Sequence, residues 1–418
     1  MLFGSATREA GGLEAPKQRL GALRHATAHV RLNPPVLPPT AKPAHIQPRV
    51  AILNAVFYHT EVVVAVMQAV LATGANLTVF ADPRGSLFKT MWEVVTPWCP
   101  TTPELLRPWQ ELEPELCDYD VIIWTTFPMG HHELGEKLVK QRCQRAQQWL
   151  FVIHDAMELS TEDLSWGPPE HKQRVHAILK AAPSSHALGI APHVVAAIKE
   201  QLTQHDIHIP VSLFNPVYDI NIGEVPQQRS GFIIQGSIDN KRRNYSGVWD
   251  AVVAKQELLN DPAFLLRLVG AFYPNKTFDV PPEIAPKLEL GKNLEFKEYY
   301  RRLARSLAVL PAFATEGYYQ NTASSTIGAS LVTRTPIVAD AKLLSAYSSL
   351  NETCVYLQAP GETYADTMLR ILRMPQAQRD EVHRQLDATR QRMLAENAQF
   401  MTGIVHGQRQ PPRNKART

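Results

Sequence analysis

The sequence predicts an α/β fold made of two doubly wound, Rossmann-like domains in tandem, and three observations lead to it. Short, almost uninterrupted apolar runs recur at 50–57, 77–80, 121–124, 149–153, 187–190 and 211–214. Strands covered by helices on both faces read this way, because neither face alternates with water, so a mainly parallel sheet is expected. A polar stretch at 226–230 interrupts this grammar, and a second series then runs through 231–236, 264–269, 306–310, 336–339 and 354–357. At 418 residues the chain also exceeds one ordinary core.

Taken in order, residues 1–48 are rich in Arg, Ala and Pro, and Pro34, Pro35, Pro38 and Pro39 allow no continuing helix, so a disordered leader is expected. Glu9 and Glu14 argue against a transit peptide, although the leader leaves organelle targeting open. Residues 49–225 carry the first strand series, beginning with a strand over 50–57 and a helix over 62–71. Residues 226–375 carry the second. In 376–418, Val382, Leu386, Met393 and Phe400 stand four and then seven apart, the spacing of an amphipathic closing helix, followed by a basic tail.

Composition narrows the function. Apolar residues make up 44% and charged residues 20%, which suits a globular chain. With 43 basic against 40 acidic residues the net charge is +3, too little for a chain-wide field that would hold nucleic acid, so any anion site must be local. Cys99, Cys117, Cys143 and Cys354 form neither a Cys-x-x-Cys pair nor a zinc spacing and are expected to be buried free thiols. No apolar run is long enough for a transmembrane segment, and a soluble, cytoplasmic protein is expected. The sequons at Asn76, Asn244, Asn275 and Asn351 carry little weight.

In open parallel sheets ligands bind beyond the carboxyl ends of strands, so the loops after the apolar runs are the places to search. The loop from Gly236 through Lys241, Arg242 and Arg243 leads into a helix, where backbone N–H groups and the helix dipole favour phosphate. A solvated basic turn is the plainer alternative. A second loop, Glu316 and Gly317 through Asn321 to Ser324, Ser325 and Thr326, also opens a helix, and three hydroxyls in a row exceed what one cap needs. In the first domain, His59 could take a proton from a hydroxyl with Glu61 orienting it, while His154 and Asp155 form the competing acid/base pair. For each His, a structural hydrogen bond is the plainer role.

Other patterns fail on context. Asp118 and Asp120 precede an apolar run instead of following one, and His131, His132 and Glu133 lack a zinc-helix spacing, so no metal site is expected. Neither a Gly-x-Gly-x-x-Gly nor a Walker lysine loop is present.

The second series resembles the donor half of GT-B glycosyltransferases, in particular the glycosyltransferase group 1 family. Gly236 with Lys241, Arg242 and Arg243 stands where that family has a strand-ending Gly and a basic stretch on the donor pyrophosphate. Glu316 and Gly317, then Ser324, Ser325 and Thr326, then Thr335-Pro336-Ile337-Val338-Ala339 follow the family's order. Two positions depart: Ser324 stands where many members have a second Glu for the donor ribose, and Arg334 replaces the usual Gly before Thr-Pro. The resemblance implies two Rossmann-like domains facing a cleft, a closing helix that crosses back to the first domain, and a hexosyltransferase using a UDP- or GDP-linked sugar as substrate with no separate cofactor and no metal. The acceptor is left open among glycan, lipid, protein and small molecule. A non-catalytic binding protein or a sugar-nucleotide epimerase on the same fold are the competing readings.

Overall fold

A computed structural model describes residues 47–407 apart from 86–89, 96–97, 100–104, 128–131, 142, 144–146, 162–168, 183, 225–227 and 273–278. The leader up to residue 46, the basic tail from 408, His131 and Asn275 therefore lie outside the described residues.

Seven strands form the first sheet: β1 (Arg49–Asn54), β2 (Asn76–Ala81), β3 (Leu106–Pro108), β4 (Val121–Trp124), β5 (Gln148–Ile153), β6 (Ser185–Gly189) and β7 (Val211–Leu213). Their order is β3-β2-β1-β4-β5-β6-β7 and every pairing is parallel. The chain starts at β1, steps outward to β3, and returns to the other side of β1 at β4. That reversal leaves a crevice at the carboxyl ends of β1 and β4. The second sheet repeats the plan with β8 (Phe232–Gln235), β9 (Leu266–Gly270), β10 (Leu288–Lys292) and β11 (Ala308–Val309), in the order β10-β9-β8-β11. A Val309–Ile337 bridge continues it into the parallel pair β12 (Val338–Ala339) and β13 (Tyr356–Leu357), so its reversal lies between β8 and β11.

The apolar runs are buried because helices cover both sheet faces. All four residues of β4 and all four of β8 are buried, as the unbroken hydrophobicity requires. β3 and β10 were not anticipated, because both sit at sheet edges and are only partly buried, so they carry no apolar run. The first strand also ends earlier than the run suggests. Buried Asn54 turns its amide onto the carbonyls of Val56 and Tyr58, both at 3.1 Å, and this lifts residues 55–58 out of the sheet.

The closing helix spans Gln376–Val405, with Leu386 and Met393 buried and Val382 and Phe400 half-buried along one stripe. It packs on the helix Thr60–Leu71 and holds the segment after β7. Asn397 donates to Asn215 O at 2.6 Å and accepts from Asn215 N at 3.2 Å, while buried Arg390 donates to Tyr218 O at 3.0 Å and pairs with Asp219. Arg334, in the place of the usual Gly, adopts the left-handed conformation (φ 55°) that ends the helix Ser325–Thr333 and pairs with Asp387 on the closing helix at 2.8 Å.

One cysteine expectation needs correcting: Cys117 and Cys143 form a disulfide, whereas Cys99 and Cys354 are free and buried. The pair lies 26 residues apart, on either side of β4 and the helix after it, and sequence spacing carries no signal of that proximity.

Candidate functional site

The loop after β8 is shaped by glycine. Gly236 has φ 116°, and a Cβ there would lie 2.8 Å from Arg243 Nη2. The missing side chain lets the Arg243 guanidinium fold over the end of the strand, where Nε and Nη2 donate to Gln235 O at 3.2 and 3.1 Å. Nη2 also donates to Thr326 Oγ1 at 2.9 Å, so the basic loop and the hydroxyl-rich helix start meet on one side of the second sheet. Arg243 is 3% exposed, with its guanidinium beside the rings of Phe313 and Tyr318. No carboxylate pairs with it among the described residues. A buried cation thus stands beside the N-terminus of the nine-residue helix Ser325–Thr333, and two positive features converge without an anion.

The neighbouring groups divide between structure and availability. Ser324 is the helix cap, accepting from Thr326 N at 3.3 Å, so one hydroxyl has the ordinary role. Ser325 is exposed at the first turn, as is the Lys241 side chain. Arg242 donates to Tyr318 Oη at 2.9 Å. Thr326 Oγ1 accepts from both Arg243 and Gln235 Nε2, the latter at 2.6 Å, which leaves its own proton to donate. Gln235 Oε1 in turn accepts from Tyr299. Glu316 is exposed and bonded to Lys342 at 2.6 Å, and Gly317 opens the short helix Gly317–Gln320.

On the first sheet, β1, β4 and β5 bring three predicted groups together. His59 has φ 59°, sparsely populated for a residue with a Cβ, and begins the helix Thr60–Leu71. Its Nδ1 lies 3.8 Å from Glu61 Oε1, and its ring centroid is 4.1 Å from that of His154. Burial pushes the Glu61 carboxyl up, but the neighbouring His59 carries it below its usual value. His154 Nε2 lies 2.7 Å from Thr125 O, which can only accept, so Nε2 holds the proton and Nδ1 keeps its lone pair. Burial, helped by the charge of His59, takes its pKa down to about 3. Burial, then the Glu61 charge, raises the Tyr299 hydroxyl above its usual value.

Asp155 has a different use from the one expected. Its Oδ2 accepts from Thr322 Oγ1 at 2.7 Å and its Oδ1 from Met157 N at 3.0 Å. Around it, Ala323 N donates to His154 O at 3.0 Å and Ala156 N to Asn321 O at 2.9 Å, an antiparallel bridge joining the two lobes. Asn321 thus serves through its carbonyl. His193 reinforces the contact, its two ring nitrogens each 3.1 Å from the carbonyls of Thr322 and Ala346.

Gln235, Tyr299, Thr322, His193 and Glu158 were not anticipated. Glu158, four residues beyond His154, is 3% exposed with neither carboxylate oxygen hydrogen-bonded among the described residues, and burial, then Asp155, pushes its pKa well up. Only a polar residue closing an apolar strand, as at Gln235, offered a usable signal. Among the described residues no helix is long and apolar enough to cross a membrane.

No family model matches the sequence, and no curated protein sequence matches it. Solved structures do resemble the chain. A sucrose-phosphate synthase from Thermosynechococcus elongatus superposes with TM-score 0.55 at 15% identity, covering 86% of this chain and 99% of that one. Anabaena HepE in complex with UDP and glucose gives 0.59 at 11%, covering 86% and 100%. A UDP-forming trehalose-phosphate synthase from Burkholderia xenovorans gives 0.57 at 10%, covering 86% and 99%. The fold is therefore of the GT-B type, two Rossmann-like lobes facing a cleft.

Proposed function

We propose that this chain is a glycosyltransferase that moves a sugar from a nucleotide-sugar donor to an acceptor hydroxyl. The observation that carries the reading is Arg243: a buried cation without a carboxylate, bonded to Thr326 at the start of a helix and flanked by exposed Lys241 and Ser325. A diphosphate fits that field, and its oxygens would take hydrogen bonds from Ser325, Lys241 and the helix amides. The UDP held by HepE, a protein of the same fold, supports a UDP-linked donor as the first to test.

In the proposed reaction the bond from the sugar C1 to the diphosphate oxygen breaks, and its electron pair goes to that oxygen. Arg243, Lys241 and the helix start stabilise the charge that develops, and the reading calls for no metal. The acceptor oxygen bonds to C1, and its proton passes to His59, which Glu61 orients. Neutral His154 offers Nδ1 to a donor-sugar hydroxyl. Gly236, Arg242, Glu316, Gly317, Asn321 and Ser324 shape the donor side without supplying the leaving-group contact.

The competing reading of a binding protein without turnover draws on Ser324, which fills a family glutamate position and acts here as a helix cap. Two measurements decide. In isothermal titration UDP binds the wild type, and Ser325→Ala and Lys241→Ala each weaken it several-fold, as the loss of about 1 kcal/mol per bond predicts; unchanged affinity in both removes the phosphate site. Release of UDP from UDP-sugars in the presence of a panel of acceptors separates transfer from mere binding, and an epimerase would interconvert sugars with none released.

A further inference from the structure

Among the described residues three large apolar side chains are exposed, and two of them, Phe57 at 55% and Tyr58 at 39%, are adjacent in the turn after β1. Their rings meet edge to face with centroids 5.1 Å apart, Tyr58 lies 4.9 Å from His59, and His59 lies 4.1 Å from His154. A row of rings therefore leads from the surface to the histidine pair of the cleft.

This turn is built to stay put. Asn54, 3% exposed, ties down the carbonyls of Val56 and Tyr58, and its Oδ1 accepts from Thr126 Oγ1 at 2.6 Å. Gly85 lets the next loop approach, since a Cβ there would meet Asp82 O at 3.0 Å and Phe57 O at 3.4 Å. From that loop the Arg84 guanidinium lies 5.9 Å from the centre of the Phe57 ring. Exposed aromatic rings held this firmly, beyond the carboxyl end of the interior strand β1 and beside the reversal of strand order, are placed for a ligand.

We infer that Phe57 and Tyr58 form the acceptor subsite, a fixed aromatic platform that receives the C–H face of an uncharged pyranose ring. The inference rests on the transferase reading and adds the acceptor's chemical class. A pyranose presents an apolar face and a hydroxyl edge, and the platform matches both: two rings, with His59 on one side and Arg84 on the other. A lipid chain would call for a longer apolar patch. A sugar phosphate would call for an uncompensated cation, but among the described residues the cation beside these rings, Arg84, already holds Asp82 through bonds of 3.0, 3.2 and 2.5 Å. A sugar laid on Tyr58 brings one hydroxyl edge toward His59.

The test uses the full chain and saturation-transfer NMR with methyl α-D-glucopyranoside, hexyl β-D-glucopyranoside and glucose 6-phosphate, each with UDP titrated into the same sample. In the wild type, magnetisation should reach the ring C–H protons of the neutral glucosides. Phe57→Ala and Tyr58→Ala should each weaken that binding about fivefold, Phe57→Trp should restore it, and UDP affinity should stay within about twofold. Leu290→Ala, the exposed apolar residue elsewhere, should change nothing. Equal pyranoside affinity in the Phe57→Ala/Tyr58→Ala double variant overturns the platform, as does transfer confined to the hexyl chain or a preference for glucose 6-phosphate. UDP binding without any pyranoside signal sinks the platform alone, whereas a wild type that binds no UDP sinks the donor reading and the platform with it.

Discussion

Arg243 holds the carbonyl that ends β8 and the hydroxyl that starts the next helix, so removing it affects more than ligand affinity. Arg243→Ala takes both guanidinium donors from buried Gln235 O and leaves Thr326 Oγ1 with Gln235 Nε2 alone, and urea denaturation should show a loss of about 1–3 kcal/mol alongside weaker UDP binding. At 3% exposure Arg243 is part of the buried structure. Exposed Ser325 is the cleaner probe. A second residue-scale effect is acid sensitivity. His154 ordinarily titrates near 6.5, but in the folded chain burial, then the charge of His59, holds its pKa to about 3. Between those values the unfolded chain takes up a proton that the folded chain refuses, so stability is full above pH ~6.5 and falls as pH drops toward 3. His154→Gln should shrink the stability difference between about pH 7 and 4.5, and an unchanged difference would refute the buried neutral imidazole.

At the scale of elements, the loop after β8, the proposed phosphate site, depends on how closely β8 and β9 approach at their carboxyl ends. Gly270 ends β9 at φ 156°, and a Cβ built there would lie 1.6 Å from Gly236 O. Gly270→Ala must separate the strand ends that carry Gln235 and Gly236. We expect a loss of about 4 kcal/mol or more, with UDP binding abolished, measured by denaturation and titration. A variant that folds and binds as the wild type does would show that the loop tolerates strand separation. The unanticipated edge strands β3 and β10 do not touch this question, because the strands that carry the site, β1, β4, β5 and β8, are central in their sheets.

For the molecule as a whole, the two lobes are joined by the closing helix and by the bridge between Asp155 and Thr322. Thr322→Val removes the side-chain bond of that bridge but leaves its backbone pair. The expected cost is about 1 kcal/mol, and the local signature is faster amide hydrogen exchange at Ala156 and Ala323. Unaltered exchange there would mean that the backbone bonds alone hold the lobes. The bridge also ties the position of His154 to the loop before the helix Ser325–Thr333, since Ala323 N donates to the His154 carbonyl.

Hydrophobic patterning by itself determined the parallel α/β architecture, the restart of the strand series after 226–230 and the amphipathic stripe of the closing helix, because burial on both faces of a sheet must appear as unbroken apolar runs. Loop position likewise singled out His59, Glu61, His154, Lys241 and Arg243, since ligands gather at strand ends. Tertiary structure decided the rest. Tyr299 and Gln235 stand 64 residues apart in the chain, Asp155 and Thr322 stand 167 apart, and Cys117 finds Cys143 across a strand and a helix. A contact between distant residues leaves no periodic trace, so only the folded chain shows that Asp155 fastens two lobes while His59 stands beside Glu61 and His154.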